Sequence, residues 1–372
     1  MAVLLVGMGM LYVTFALLVA LRLRRMRAIA TPGNMEEPLV SVIVAVRNEA
    51  ESVMRCLESL LRLDYAQEKL QIVIVNDDSR DGSGAQIDAF CQPWRHMQVI
   101  HLGPGEKSLP GKAGAVLHGL EMARGEIIFL TDADCEVPVS WIRGLLAGFA
   151  ADTGLVCGFT ILRARRSPAP LFQEVQALDW LFLLGVAAAA MELGRPVSWM
   201  GNNLAFRRSA YEAVGGYRTI GNSLIEDFTL LDAISRKSRY TVAVQPDRAA
   251  VVVSAPVTRL RQLYEQRRRW AMGIRPVRPL GKGLMISGFM MHLLLLAGCF
   301  LTPWLSLLVA AVKCSADLQI IASTAQKSGA RIGPGAFLGF ELFYSLYTLI
   351  MPLSLLFDRR IQWKDQDYSI PA

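Results

Sequence analysis

The sequence of 372 residues lacks the motifs of several common chemistries. Its six cysteines include no CxxC and its four histidines include no HxxxH, which excludes the usual zinc sites. It contains no GxGxxG and no GxxxxGK[ST], so neither a dinucleotide fingerprint nor a P-loop is present. The scattered cysteines are typical of reduced thiols in a cytosolic domain.

Charge is missing from three long runs of the chain. Residues 2–21 and 284–312 carry no charge, and residues 335–357 carry only Glu341. About 20 apolar residues span a bilayer core as a helix. The stretch between the first two runs, roughly 28–283, has mixed composition. The sequence therefore predicts one water-facing domain held between membrane segments.

The charges that follow the first run give an orientation. In a cleaved signal peptide the positive charges precede the apolar stretch, whereas here they come after it. Lys and Arg prefer the cytoplasmic side, so we expect the N-terminus outside and the large domain in the cytoplasm, at the inner membrane of a bacterium. The arginines concerned are Arg22, Arg24, Arg25 and Arg27.

Basic residues also follow the last run, namely Arg359, Arg360 and Lys364. The C-terminus is therefore expected inside, with an even number of crossings between 284 and 357. Pro303 can kink the long second run or divide it. We expect two C-terminal spans.

These observations predict five segments. Residues 256–282 hold eight basic residues and one Glu, which fits either simple positive-inside flanking or a helix that lies against anionic headgroups. No nucleic-acid partner is expected. The segments are an N-terminal span and flank at 1–27, a cytoplasmic catalytic domain at 28–255, a basic interfacial segment at 256–283, a transmembrane region at 284–357 and a tail at 358–372.

Apolar strands alternate with helical patterns in the first half of the domain, which predicts an α/β fold with a mostly parallel sheet. Ligands bind at the carboxyl ends of such strands. Further on, 168–194 reads as a helix too interrupted by Glu174 and Asp179 to span a bilayer, and a strand pair is expected near 240–253. The predicted strands are 39–46, 69–77, 97–103 and 126–134, and the predicted helices are 48–63 and 112–125.

Two carboxylates close the fourth strand, in "LTDADC". Asp132 and Asp134 stand two residues apart where the apolar run ends. They are either a solvated strand end or a clamp for Mg²⁺ or Mn²⁺, which hard oxygen ligands hold together with water and phosphate. A metal there would neutralise a departing diphosphate.

Further polar residues fall at the same edge of the predicted sheet. Asp77 and Asp78 follow the second strand, and Glu49 follows the first. An aspartate there can bind a uracil edge or a ribose hydroxyl. Lys112 precedes the fourth strand, where it is either an exposed lysine at a helix start or a partner for diphosphate.

Two later motifs complete the candidate site. In "IED", Asp227 is either a partly buried base with a raised pKa or, with Glu226, a complement to the helix dipole. In "QRRRW", helical spacing places Gln266, Arg269 and Trp270 on one face. Arg267 and Arg268 are expected to point towards solvent or headgroups.

The ensemble resembles family 2 glycosyltransferases. The motifs "VSVIVAVRNEA", "VNDDSRDGS", "LTDADC", "GNNLAFRR", "IEDFTL" and "QRRRW" occur in that family's order over about 39–273. Within it the chain is similar to membrane enzymes with a Q-x-x-R-W motif, among them cellulose and hyaluronan synthases and ceramide and carotenoid glucosyltransferases. The resemblance implies a GT-A fold, a nucleotide-diphosphate sugar donor and inversion at the anomeric carbon.

The resemblance also implies roles for single residues, with three departures. Where the family has V-D-D-G-S, this chain has Val75 to Ser79 with Asn76 in the second position. Where the family has T-E-D, this chain begins with Ile225, and where its tail has W-K-G-R, this chain has Trp363 to Gln366, which differ in the last two positions. The implied roles are nucleotide or donor binding by Glu49, Asp77 (favoured over Asp78), Lys112, Asp132, Gln266, Arg269 and Trp270; metal binding by Asp132 and Asp134; catalysis by Asp227 as base; and a sugar or acceptor pocket of Asn202, Glu226 and Trp270.

We expect an enzyme that moves a hexose, by default from UDP-glucose, to a lipid hydroxyl. A processive polysaccharide synthase is the alternative, while an inactive membrane scaffold and a nucleotidyltransferase are less favoured. Few spans are available for a polymer channel. Residues 171–190 are either a core helix or part of a lipid site. Together with the basic segment, they favour an acceptor that arrives from the membrane plane.

Overall fold

The computed structural model describes residues 1–29, 37–221, 223, 225–273, 278–357, 360–363 and 366–369, with the backbone alone beyond residue 353. Lys364 and Asp365 of the tail motif, and Arg359, lie outside these residues. The strands are β1 (Val40–Val46), β2 (Leu70–Asp77), β3 (Met97–Leu102), β4 (Ile127–Asp132), β5 (Cys135–Glu136), β6 (Thr153–Gly158), β7 (Thr160–Leu162), β8 (Leu204–Arg207), β9 (Thr241–Gln245), β10 (Val252–Ser254), β11 (Arg360–Trp363) and β12 (Gln366–Ser369).

The domain is built on a seven-stranded sheet of order β3-β2-β1-β4-β8-β6-β9. The first four strands in this order are parallel, as predicted, and β8 runs antiparallel to both of its neighbours. A smaller sheet has the order β5-β10-β7. The expected pairing near 240–253 is wrong, because β9 belongs to the large sheet and β10 to the small one.

The strand register brings the polar motifs together. Asn76 is the partner of Val46 on one side of β1, and Asp132 is the partner of Ala45 on the other side. Asp77 and Asp132 therefore flank the carboxyl end of β1. This is the edge at which the sequence predicted a ligand site.

Successive side chains along the strands point to opposite faces of the sheet and pack into two hydrophobic cores. In β1, Val42 and Val44 contact one core and Ile43 contacts the other. The shorter helices are α2 (Val53–Leu61), α3 (Ser83–Cys91), α4 (Gly111–Met122), α5 (Trp141–Leu146), α7 (Arg208–Ala213), α8 (Gly216–Ile220) and α9 (Glu226–Lys237) in the domain and α10 (Leu260–Met272) in the basic segment. The first core includes α2, α3 and α5, and the second includes α4 and α9.

Among the residues that the structure describes, five further helices are long and apolar enough to cross a membrane. They are α1 (Ala2–Arg25), α6 (Leu171–Glu192), α11 (Pro279–Leu301), α12 (Pro303–Ser328) and α13 (Pro334–Phe357). One of them, α6, is largely enclosed by the protein, whereas most of the apolar surface of the others is not. α6 packs on β7 and β9 and also against α1, α12 and α13, which makes it a core helix.

The C-terminal region holds three long helices where two spans were expected. α11 ends at Leu301 and α12 starts with Pro303 in its first turn, a position that suits proline. The charges of α12 concealed its length in the sequence. Lys313 is buried and lies 2.9 Å from Asp317 and 2.6 Å from Glu341 of α13, so inside the bundle this cation is held between two carboxyl groups.

Close packing of α6 on the bundle gives a first prediction. A Cβ at Gly185 of α6 would meet Ile320 at 3.0 Å and Leu23 at 3.2 Å, besides Thr324. Gly185→Val should therefore destabilise the protein by about 1–3 kcal/mol through overpacking, measured as a lower melting temperature in detergent. Gly283→Val is the control, since nothing lies within 4 Å of a Cβ at that position. Equal melting temperatures for the two variants would contradict this packing.

Candidate active site

A cavity of about 1850 Å³ opens at the carboxyl edge of the sheet. Its polar half is formed by the strand ends and by the start of α9, and its apolar half by α6, α11 and α13. Asp78 is not among the described residues that line it. The predicted site residues that do line it are Glu49, Asp77, Lys112, Asp132, Asp134, Asn202, Glu226, Asp227, Gln266, Arg269 and Trp270.

Asp77 and Asp78 have different surroundings. The buried Asp77 carboxylate lies 2.7 Å from Lys107 Nζ and 3.8 Å from Arg47 Nη1. Asp78 adopts a positive φ of 50° and pairs with the exposed Arg80 at 3.4 Å. The geometry thus favours Asp77 as the residue that faces a ligand. Lys107, which no motif in the sequence marks, holds it in place.

Lys112 joins two carboxylate clusters. Its Nζ lies 2.7 Å from Asp132 Oδ1 and 3.5 Å from Glu226 Oε1, in the first turn of α4. Burial would lower the pKa of Lys112, but Asp132, Asp227 and Glu226 raise it well above its usual value. Lys112 is therefore a charged centre of the site and not an exposed lysine.

Asp132 and Asp134 supply oxygen atoms to the cavity. Asp134 accepts hydrogen bonds from Ser254 Oγ at 3.3 Å and Cys135 Sγ at 3.4 Å. Burial, followed by the charges of Asp134 and Asp132, raises the pKa values of the Cys56 and Cys135 thiols, so both stay protonated and are poor metal ligands. Asp132 and Asp134 thus offer hard oxygen ligands, and the two neighbouring thiols add no sulfur ligand.

The donor set fits a hard divalent cation that shares its ligands with a phosphate. Within the part of the chain that the structure describes, no group of three or more His, Cys, Asp or Glu could hold a metal ion. Mg²⁺ typically takes one or two carboxylates and completes its coordination with water and substrate phosphate. Asp132 and Asp134 meet that requirement.

The motif "GNN" positions the start of α9. A Cβ at Gly201 would collide with the Asp227 carboxyl, so only glycine permits this approach. Asn202 accepts a hydrogen bond from Thr160 Oγ1 at 2.9 Å and faces the cavity. Asn203 is fully buried and binds Trp141 Nε1 at 2.8 Å, which makes it structural.

Glu226 and Asp227 form a hydrogen-bonded pair in the first turn of α9. Burial and the neighbouring Asp227 charge raise the pKa of Glu226 to about 8, against the opposing effect of Lys112. The sequence predicts a raised pKa in this motif at Asp227, and the structure raises the pKa of the adjacent Glu226. The reason is burial, which the motif does not reveal.

For the QRRRW motif in α10, the structure agrees with the predictions for Gln266, Arg269 and Trp270 and contradicts the one for Arg267. Gln266, Arg269 and Trp270 line the cavity, as helical spacing predicts. Arg267 does not point to solvent or headgroups, because its side chain is buried and forms an ion pair with Asp179 of α6. The sequence presented Asp179 only as an interruption of an apolar helix.

The raised pKa of Glu226 gives a second prediction. The folded state holds this proton more tightly than the unfolded state, so stability should fall as pH rises from about 4.5 to about 8. Glu226→Gln removes the ionisation, and its melting temperature in detergent should depend less on pH across this window. Glu212→Gln, at an exposed glutamate, serves as control. Parallel pH profiles for the Glu226→Gln variant and the wild type would refute the assignment.

Two curated relatives show similarity over slightly less than two thirds of the chain. Beta-monoglucosyldiacylglycerol synthase of Synechocystis sp. is 27% identical over 241 residues, 63% of this chain and 48% of the relative. Poly-beta-1,6-N-acetyl-D-glucosamine synthase of Staphylococcus epidermidis is 27% identical over 240 residues, 63% of this chain and 54% of the relative. The chain matches about half the length of these relatives.

A solved structure confirms the predicted GT-A fold with flanking apolar helices. The mannosyltransferase PcManGT from Pyrobaculum calidifontis, in complex with GDP-Man and Mn²⁺, superposes with a TM-score of 0.62. It is 20% identical, and the match covers 96% of this chain and 99% of that one. The family model described as Glycosyl transferase family 21 matches residues 1–372. The chain therefore belongs to glycosyltransferase family 21, which confirms the glycosyltransferase that the motifs indicated.

Proposed function

We propose that the protein is a membrane-bound inverting glycosyltransferase that moves a hexose from a nucleotide-diphosphate sugar, UDP-glucose by preference, to a lipid hydroxyl. One observation carries the proposal. A single cavity extends from the carboxylates of the sheet edge to α6, α11 and α13, which are apolar helices long enough to cross a membrane. A polar donor and an apolar acceptor can therefore meet in one site.

The polar half binds the donor. Asp77, held by Lys107, binds the nucleoside beside Glu49, and Lys112 pairs with the diphosphate. Asp132 and Asp134 would hold Mn²⁺ or Mg²⁺. When bound, such an ion offsets the negative charge that develops on the leaving diphosphate.

The proton of the acceptor hydroxyl goes to Asp227. With a pKa of about 8, Glu226 keeps its own proton at neutral pH, which leaves Asp227 as the carboxyl that accepts the hydroxyl proton. The acceptor oxygen then forms a bond to the anomeric carbon as the bond to the diphosphate oxygen breaks, and Asp227 takes the hydroxyl proton. A nucleoside diphosphate leaves, and the anomeric centre is inverted.

The remaining site residues enclose the sugar and the acceptor. Asn202 and Glu226 face the sugar, while Gln266, Arg269 and Trp270 approach from α10. An arginine can grip a phosphate through two parallel hydrogen bonds. These three residues close over the site, with Arg269 at the diphosphate and the Trp270 indole at the incoming hydroxyl.

The membrane arrangement follows from the sequence and the packing. Arginines at the end of α1 support an outside N-terminus and a catalytic domain at 28–255 in the cytoplasm, at a bacterial inner membrane. α10 lies within the basic segment 256–283, and the charge of this segment supports a position of α10 at the height of the headgroups. The diacylglycerol-glucosylating relative supports a lipid acceptor.

Two substitutions separate catalysis from donor binding. Asp227→Asn should slow transfer by about 10²–10⁴-fold, because it removes general-base catalysis, while donor affinity changes only a few-fold. Asp134→Ala should instead weaken binding of both metal and donor. Steady-state kinetics and calorimetric titration of the donor provide the two readouts. Equal losses of donor affinity in both variants would show that the base is misassigned.

Product analysis tests the function as a whole. Reconstituted protein supplied with radiolabelled UDP-glucose, Mn²⁺ and bacterial lipid extract should convert label into organic-extractable glycolipid, and mass spectrometry then identifies the acceptor. The Asp227→Asn variant is the matched blank. Label in water-soluble polymer would instead support a polysaccharide synthase, and release of pyrophosphate a nucleotidyltransferase. Failure to release nucleoside diphosphate with any common donor sugar would overturn the enzyme assignment.

A further inference from the structure

Arg267 lies behind the wall of the cavity and contacts three helices. It is almost fully buried, pairs with Asp179 of α6 and belongs to α10. Its guanidinium lies 4.4 Å from the centre of the Trp270 ring and 5.8 Å from that of Tyr347 in α13. Arg267 is not among the described residues that line the cavity, so its contacts act through its neighbours.

Those neighbours form an aromatic wall, which we define as Trp180, Trp270, Tyr344 and Tyr347. All four line the cavity, and the rings of Trp180 and Trp270 lie 5.8 Å apart. Trp180 is fixed by a hydrogen bond from its Nε1 to the Thr160 carbonyl at 2.7 Å. The aromatic wall is built from side chains of α6, α10 and α13.

Stability alone does not account for the ion pair. A buried ion pair is often no more stable than apolar residues of similar volume. Here Arg267 Nε and Nη1 and Asp179 Oδ1 are buried without a hydrogen-bond partner among the described residues. What the pair does provide is a planar cation held against two aromatic faces, which lysine cannot reproduce.

We propose that the Asp179–Arg267 pair is a positioning device that fixes Trp270 and Tyr347 as the wall against which the acceptor lipid lies. The inference rests on the proposed function and deepens it. Asp179 fixes the position of the Arg267 guanidinium, and the guanidinium fixes the orientation of the two rings. The rings guide the acceptor hydroxyl towards Asp227. The donor residues at the sheet edge lie outside this chain of contacts.

The conservative variant Arg267→Lys tests the proposal, since it keeps the charge and loses the planar contacts. It should raise the acceptor KM by about tenfold, because the rings lose the planar guanidinium that stacks on them, and leave donor affinity within about twofold. The double variant Asp179→Leu with Arg267→Met removes both charges and avoids an unpaired one, and it should show the same acceptor defect. Arg261→Lys is the control, at an exposed arginine of the same helix that pairs with Glu265 at 2.8 Å.

A second readout does not depend on activity. Trp180 and Trp270 are close enough for their indole bands to couple in circular dichroism. Trp270→Phe identifies the coupled signal, and Arg267→Lys should reduce it while Arg261→Lys leaves it intact. If wild type makes no glycolipid, the proposed function fails and this signal still decides the positioning. An unchanged acceptor KM with an unchanged signal, or an equal loss of donor affinity, would overturn the inference.

Discussion

The salt bridges of Lys112 are the interaction on which the site depends. Strand ends and the start of α9 gather carboxylates at one edge of the sheet, and such charges repel one another at short range. Lys112 lies between Asp132 and Glu226 and offsets the negative charge gathered there, while Lys107 does the same for Asp77. The cations therefore determine how closely the carboxyl groups can approach one another, and hence how their oxygen atoms are spaced along the cavity.

Local patterns were sufficient to predict much of this architecture. Alternating apolar strands and helices indicate a parallel sheet, and its geometry alone brings Asp77 and Asp132 to either side of β1. Helical spacing likewise places Gln266, Arg269 and Trp270 towards one cavity. These predictions need only the period of an element and the rule that ligands bind where parallel strands end.

Charge pairs between distant residues explain what the sequence did not reveal. Arg267 and Asp179 are 88 positions apart, and Lys313 and Glu341 are 28 apart. Considered alone in the sequence, each of these charged residues indicates a solvent-exposed position or the end of an apolar run. Paired and buried, the same charges lie inside the protein, which is why Arg267 was misplaced and α12 was missed. Lys107 went unrecognised for the same reason, since its partner Asp77 is 30 positions away.

The position of α6 explains why the catalytic domain and the apolar helices act as one body. A single core contains Leu23 of α1, Ile320 of α12 and Leu181 of α6 together with Val73 and Leu130 of the sheet. Through this core, α6 connects the sheet to α1 and α12. The position of the site relative to the apolar helices is therefore fixed by side-chain packing. For the proposed lipid acceptor, whose tails would stay in the membrane, the height of the reacting carbon above the membrane has to be fixed, and a continuous core fixes it more firmly than a tether does.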